Sequence, residues 1–140
     1  MILKEFIKET QKNQMIATLL KHYKVESVRW RYKSIKDHAH YNVDKGILDL
    51  SSRYKNLKDS QVKQFLITMI HEIRHAMDSK KYGWRKFKEM WEHEANMISG
   101  KHRPGKTDPY DDNPYEIEAE EFGQKMWKFW KGKFKKDGLI

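Results

Sequence analysis

The residues His71-Glu72-Ile73-Arg74-His75 place two imidazoles four positions apart, with a carboxylate next to the first. On a helix, residues four apart share a face, with about 5–6 Å between Cβ atoms. Two rings so placed can each bring a nitrogen to about 2.0–2.1 Å from one zinc ion. Glu72 is displaced by one residue, so it need not ligate and is free to address a water. Zinc lowers the pKa of bound water towards about 7, and a neighbouring carboxylate can take the proton as oxygen attacks a carbonyl. The spacing predicts a zinc site with Glu72 as general base.

A catalytic zinc needs a third protein ligand and an open fourth position. The chain has no cysteine, so that ligand is a His, Asp or Glu. Three downstream carboxylates compete, Glu92, Glu116 and Glu118. Helical phase favours Glu116, which shares a stripe with Ala119, Gly123, Met126 and Trp130, whereas Glu118 lies about 200° round the helix. Small residues at 119 and 123 would let that helix approach a neighbour closely. Glu92 sits one residue off the stripe of Trp84, Phe87 and Trp91. The competing reading of Glu116 is a capping box, because Asn113 is a good N-cap and Glu116 then occupies N3.

The pattern around these residues sets the elements that must position them. Residues 62–77 carry Val62, Phe65, Leu66, Met69, Ile70, Ile73, Ala76 and Met77 at 3-4 spacing, a helix capped by Asp59 or Ser60 and running to Ser79 or Lys80. An amphipathic helix is predicted over residues 2–23, with Leu3, Phe6, Ile7, Ile16, Leu19, Leu20 and Tyr23 on its apolar side. Alternation marks strands at 27–33, 38–43 and 46–51, the last two joined by a turn at Asp44-Lys45-Gly46. A helix over Trp84–Ser99 stops at Gly100, residues 101–112 read as loop, and Asn113-Pro114 opens a last helix to about Lys131. Residues 132–140 read as a frayed basic tail. The fold class is α+β in one domain, 1–140, with a three-stranded antiparallel sheet between the first helix and three later ones.

HEIRHAMD followed by NPYEIEAEEFG resembles the gluzincin pattern, in which H-E-x-x-H precedes a helix bearing E-x-x-A and an acid or amide. More narrowly, the pairing is similar to the small metallopeptidases common in bacteria and their phages, including relatives of the ImmA/IrrE type. The resemblance covers about residues 60–123. It implies a minimal zincin, a zinc-dependent peptidase acting on a protein or peptide, with Glu116 as third ligand. It also implies that Glu120 orients an active-site imidazole from behind, although Glu120 is longer than the Asp usual in the thermolysin branch. No residue matches a family oxyanion donor; Tyr82, His93, Tyr110 and Tyr115 are candidates on chemistry alone. The five Trp residues read as packing, and His22, His38, His40 and His102 as exposed, with His38 and His40 sharing a strand face.

At 140 residues the chain can bury a core without help from a metal, so a metal here would serve chemistry. Charges interrupt every apolar run, which excludes a signal peptide or membrane helix and points to the cytoplasm. The net charge of +9 is uneven. Residues 1–36 hold nine Lys/Arg against three acids, residues 124–140 six Lys against one Asp, and residues 108–123 seven acids and no base. Basic ends, with Trp30 and Tyr32 on a strand, offer a second reading as a nucleic-acid-binding protein. A non-catalytic metal-binding interaction module is the third.

Overall fold

The computed structural model describes residues 6–100 and 108–140 of the chain. Its elements are α1 (Glu9–His22), β1 (Arg29–Lys33), β2 (Ala39–Asn42), β3 (Ile47–Ser51), α2 (Val62–Tyr82), α3 (Trp84–Gly100) and α4 (Pro114–Lys136). Helix α2 is the spine of the fold. Its apolar stripe, from Val62 through Phe65, Leu66, Met69, Ile70 and Ile73 to Ala76, is buried throughout. That stripe meets Met15, Ile16 and Leu19 of α1, Leu48 and Leu50 of β3, and Trp130 and Phe134 of α4 in one contiguous core.

The α+β class stands, with four helices and one small sheet, but the sheet is mixed and not antiparallel. The strand order is β1-β3-β2. Strands β2 and β3 form the expected antiparallel hairpin, closed by Gly46 at φ 63° and by Asn42, whose Oδ1 accepts from Lys45 N. Strand β1 pairs in parallel with the far side of β3, Arg29 opposite Ile47 and Lys33 opposite Ser51. The reason lies in burial. Leu48 and Leu50 are fully buried and take the central strand, while the charged β1 is left at an edge. Residues 34–46, which include β2, provide the crossover of about a dozen residues that parallel pairing requires.

Both ends of the chain depart from the sequence expectation. The first helix begins at Glu9, because Phe6 bridges Lys58 and Ile7 N donates to Leu57 O; Leu3 lies outside the described residues. Asp59 and Ser60 do not cap α2 but form a 3-10 turn before it, and α2 runs on to Tyr82. Helix α3 starts after Gly83, whose φ of 85° suits glycine. Of the predicted 101–112 loop, residues 101–107, with His102, are outside the described residues, and Asp108–Asp112 is turn.

The C-terminal segment is not a frayed tail. Helix α4 continues to Lys136, and Phe134 and Leu139 are buried. A Schellman motif ends it: Leu139 N donates to Phe134 O, Gly138 N donates to Lys135 O, and Gly138 has φ 76°. The apolar pair at that motif, Phe134 and Leu139, explains why residues 132–140 stay attached. No helix among the described residues is long and apolar enough to cross a membrane.

Candidate metal centre

His71, Glu72 and His75 lie mid-helix on α2, and the two imidazoles meet Glu116 and Glu120 of α4. Asn113 sets the start of α4: its Oδ1 accepts from Tyr115 N, and its Nδ2 donates to Trp91 O of α3. Pro114 follows at the first helical position. From that fixed start, the stripe of Glu116, Ala119 and Gly123 faces α2, and all three residues are buried.

Glu116 Oε1 is 2.9 Å from His71 Nε2 and 3.0 Å from His75 Nε2. Ligand atoms of His71, His75 and Glu116 all lie within 4.8 Å of one another. The other Glu116 oxygen accepts from Trp91 Nε1 at 2.8 Å. The carboxylate is therefore occupied by imidazoles and an indole and caps nothing. Among the described residues, Glu118 is exposed and reaches only Arg74, at 3.8 Å, and Glu92 lines the cleft without joining the cluster. Glu120 Oε2 is 2.9 Å from His71 Nδ1, so it holds the ring nitrogen opposite the cluster. His75 Nδ1 is buried without a hydrogen-bond partner among the described residues.

The electrostatics follow from these contacts. Burial opposes a charged His71, but the Glu116 bond, the charge of Glu72 and the Glu120 bond together push its pKa up to about 9. Burial would raise Glu116, yet hydrogen bonds from His71, His75 and Trp91 hold it well below the usual carboxylate range. Glu72 is buried beside them, and burial raises its pKa against the pull of His75 and His71. A carboxyl held high by burial can accept a proton and hand it on.

Glu72, His75 and Glu116 open into a cavity of about 450 Å³ bounded by α2, α3 and the outer edge of β2, while His71 lines a neighbouring depression with Glu116 and Glu120. Glu72, His75 and Glu116 form its floor, and Phe87, Trp91 and Tyr110 its walls. Lys88 of α3 reaches Asp44 of the β2–β3 turn at 3.1 Å across one side. Of the four oxyanion candidates, Tyr110 alone lines this cavity. Its ring is half exposed, but its hydroxyl is turned in against Glu116, and burial with the charges of Glu116 and Glu72 pushes its pKa far up. Asp108 Oδ1 fixes the loop beneath it by accepting from Tyr110 N and Asp111 N. Tyr115 instead packs edge-on against Phe87.

Two residues read from sequence as inert belong to the site. Trp91 fits its helical stripe, and nothing in that periodicity shows that its N–H meets Glu116. His40 is exposed on β2 and lines the cavity, whereas His38 lies just before the strand and bonds the Tyr54 hydroxyl. The two do not form a second cluster.

Two imidazole nitrogens and a carboxylate oxygen converging from two helices, with a carboxylate behind one ring, suit a zinc ion by donor type and number. No protein-family model, no curated protein and no solved structure matches the chain.

Proposed function

We propose that this protein is a zinc-dependent peptidase of minimal zincin design, with His71, His75 and Glu116 as zinc ligands and Glu72 as general base. The observation that carries the reading is the convergence of His71 Nε2, His75 Nε2 and Glu116 Oε1, two of whose residues line a cleft with the buried carboxyl of Glu72. When bound there, zinc supplies Lewis acidity at a carbonyl oxygen and acidifies water. Glu72 takes a proton from the attacking water on its carboxylate oxygen and delivers it to the departing amine. Glu120 keeps the His71 ring in the tautomer that presents Nε2 to the metal. Tyr110 donates its hydroxyl hydrogen to the oxyanion that develops as the carbonyl is attacked.

The substrate class follows from the cleft wall. Strand β2 is an edge strand, and its residues Tyr41 and Asn42 line the cavity together with the turn that follows. An extended peptide can pair with such an edge through its main chain. The deciding experiment is zinc content and hydrolysis of a peptide library by wild type and Glu72→Gln. Retained zinc with hydrolysis lowered about 10²-fold or more supports the reading. Zinc without hydrolysis in the wild type would leave a non-catalytic metal module, and absence of zinc binding would end the proposal.

A further inference from the structure

Cross-strand register divides the sheet into two faces. Trp30, Leu48 and Tyr41 align on one, as do Tyr32, Leu50 and Ala39, and these pack on the core. Trp30 and Tyr32 are thus not a free stacking platform; they meet edge-on at 5.3 Å, and Tyr32 donates to Glu9 Oε1. On the opposite face Arg29 aligns with Ile47 and Asn42, Arg31 with Asp49 and His40, and Lys33 with Ser51. Arg53 extends the row, because its Nε donates to Ser51 Oγ.

The charges on this outer face do not cancel. Asp49 is its buried acid, and Arg31 is committed to it at 2.6 Å. Lys33 is 3.9 Å from the other Asp49 oxygen and its side chain stays 53% exposed. Among the described residues, the guanidinium groups of Arg29 and Arg53 meet only neutral carbonyls, of Lys45 and Lys36, beside the Ser51 hydroxyl. Alternate residues on a strand are about 6.6 Å apart, roughly two 3.4 Å rises along the axis of a duplex. None of the exposed large apolar side chains lies between residues 29 and 53, so this face lacks the wedge that an amphipathic membrane surface would present.

We propose that the outer face of the sheet binds the sugar-phosphate backbone of a nucleic acid through Arg29, Lys33 and Arg53. None of the three cations lines the cavity of the candidate metal centre, so this contact acts whether or not zinc is held. Contact with about three phosphates predicts sequence-independent binding whose log Kd against log salt has a slope of magnitude near 3.

The test is fluorescence anisotropy of a labelled 20-base-pair DNA duplex and of its single strand, titrated with the full chain across a salt series. The double variant Arg29→Gln/Lys33→Gln should weaken binding at least about tenfold at low salt and reduce the slope by about 2, and Arg53→Gln alone by about 1. Arg31 is left in place, because its removal would strand buried Asp49. The control Lys131→Gln/Lys135→Gln, exposed on α4 and equal in charge change, should bind like the wild type. Equal losses in both doubles would show that net charge alone attracts the DNA and overturn the proposal. So would absence of binding to either oligonucleotide, or binding only to phosphatidylserine vesicles. Melting curves of each variant establish that the fold is intact.

Discussion

A Cβ built on Gly123 of α4 would lie 2.7 Å from the backbone oxygen of Ile67 in α2. The two helices touch main chain to main chain at that point, and the contact sets the register of the candidate metal centre. They run antiparallel. One turn on from Ile67 stands His71, and one turn back from Gly123 stands Glu120, its partner at 2.9 Å. A further turn each way brings His75 to Glu116 at 3.0 Å. The glycine thus fixes the distance at which two carboxylates meet two imidazoles.

Replacing Gly123 by Ala should therefore weaken both folding and zinc binding. Ala is favoured over Gly in an open helix by about 1 kcal/mol, so a helix with free space would gain stability. Here the added methyl meets backbone, which cannot swing aside, and overpacking of this kind costs about 1–3 kcal/mol. Thermal unfolding and zinc titration of Gly123→Ala measure the sign. A higher melting temperature would mean that the close approach is absent.

That contact shows what local sequence could and could not reveal. The stripe of Glu116, Ala119 and Gly123 was legible because one helical period carries it, and the small residues announced a tight crossing. The H-E-x-x-H spacing was legible for the same reason. Pairing of β1 with β3 was not, because alternation gives a strand its faces but not its neighbour. Nor was the Trp91 bond to Glu116, which depends on how α3 and α4 meet. The basic tail looked solvated because its lysines outnumber Phe134 and Leu139, yet those two apolar residues decide its position.

The third ligand can be read from a series of single variants. Glu116→Ala removes an oxygen shared by both imidazoles and should lower zinc affinity more than about 100-fold. Glu120→Ala touches His71 only from behind and should cost about 10–100-fold. Glu118→Ala breaks one exposed pair with Arg74, worth about 0–1 kcal/mol, and should leave affinity unchanged, as should Glu92→Ala. Isothermal titration with zinc orders the four. A sharp fall confined to Glu92→Ala would reassign the ligand.

In the metal-free protein the same contacts predict a pH dependence of stability. His71 is raised from 6.5 to about 9, so its contribution is complete below pH 6.5 and is lost as pH rises through 9. Glu116 is depressed, so its contribution is present above pH 4.5 and declines as pH falls below that value. The cluster should stabilise most between about pH 4.5 and 6.5. Melting temperatures of chelator-treated wild type and His71→Ala, compared from pH 4 to 10, should converge on the alkaline side. A gap that persists unchanged to pH 10 would contradict the assigned pairing. Zinc should reverse the trend, since its ligands must be deprotonated to bind.

The last prediction concerns the far end of α4. Trp130 is buried and donates from Nε1 to the Tyr23 hydroxyl, Phe134 packs beside it, and Leu139 folds back over the helix end. This end anchors the helix whose other end carries Glu116. Phe134→Ala should cost about 3–5 kcal/mol. Deleting residues 137–140 removes Gly138 and Leu139 together and should cost about 2 kcal/mol or more, from the lost leucine burial and the opened motif. Neutralising Lys133, Lys135 and Lys136 instead, all exposed, should change stability by no more than about 0.5 kcal/mol each. Urea unfolding of the three variants separates an apolar anchor from a solvated tail. If the deletion were neutral and the lysine variant were not, the C-terminus would be held by charge, and the buried Phe134–Leu139 pair would carry no share of α4's position.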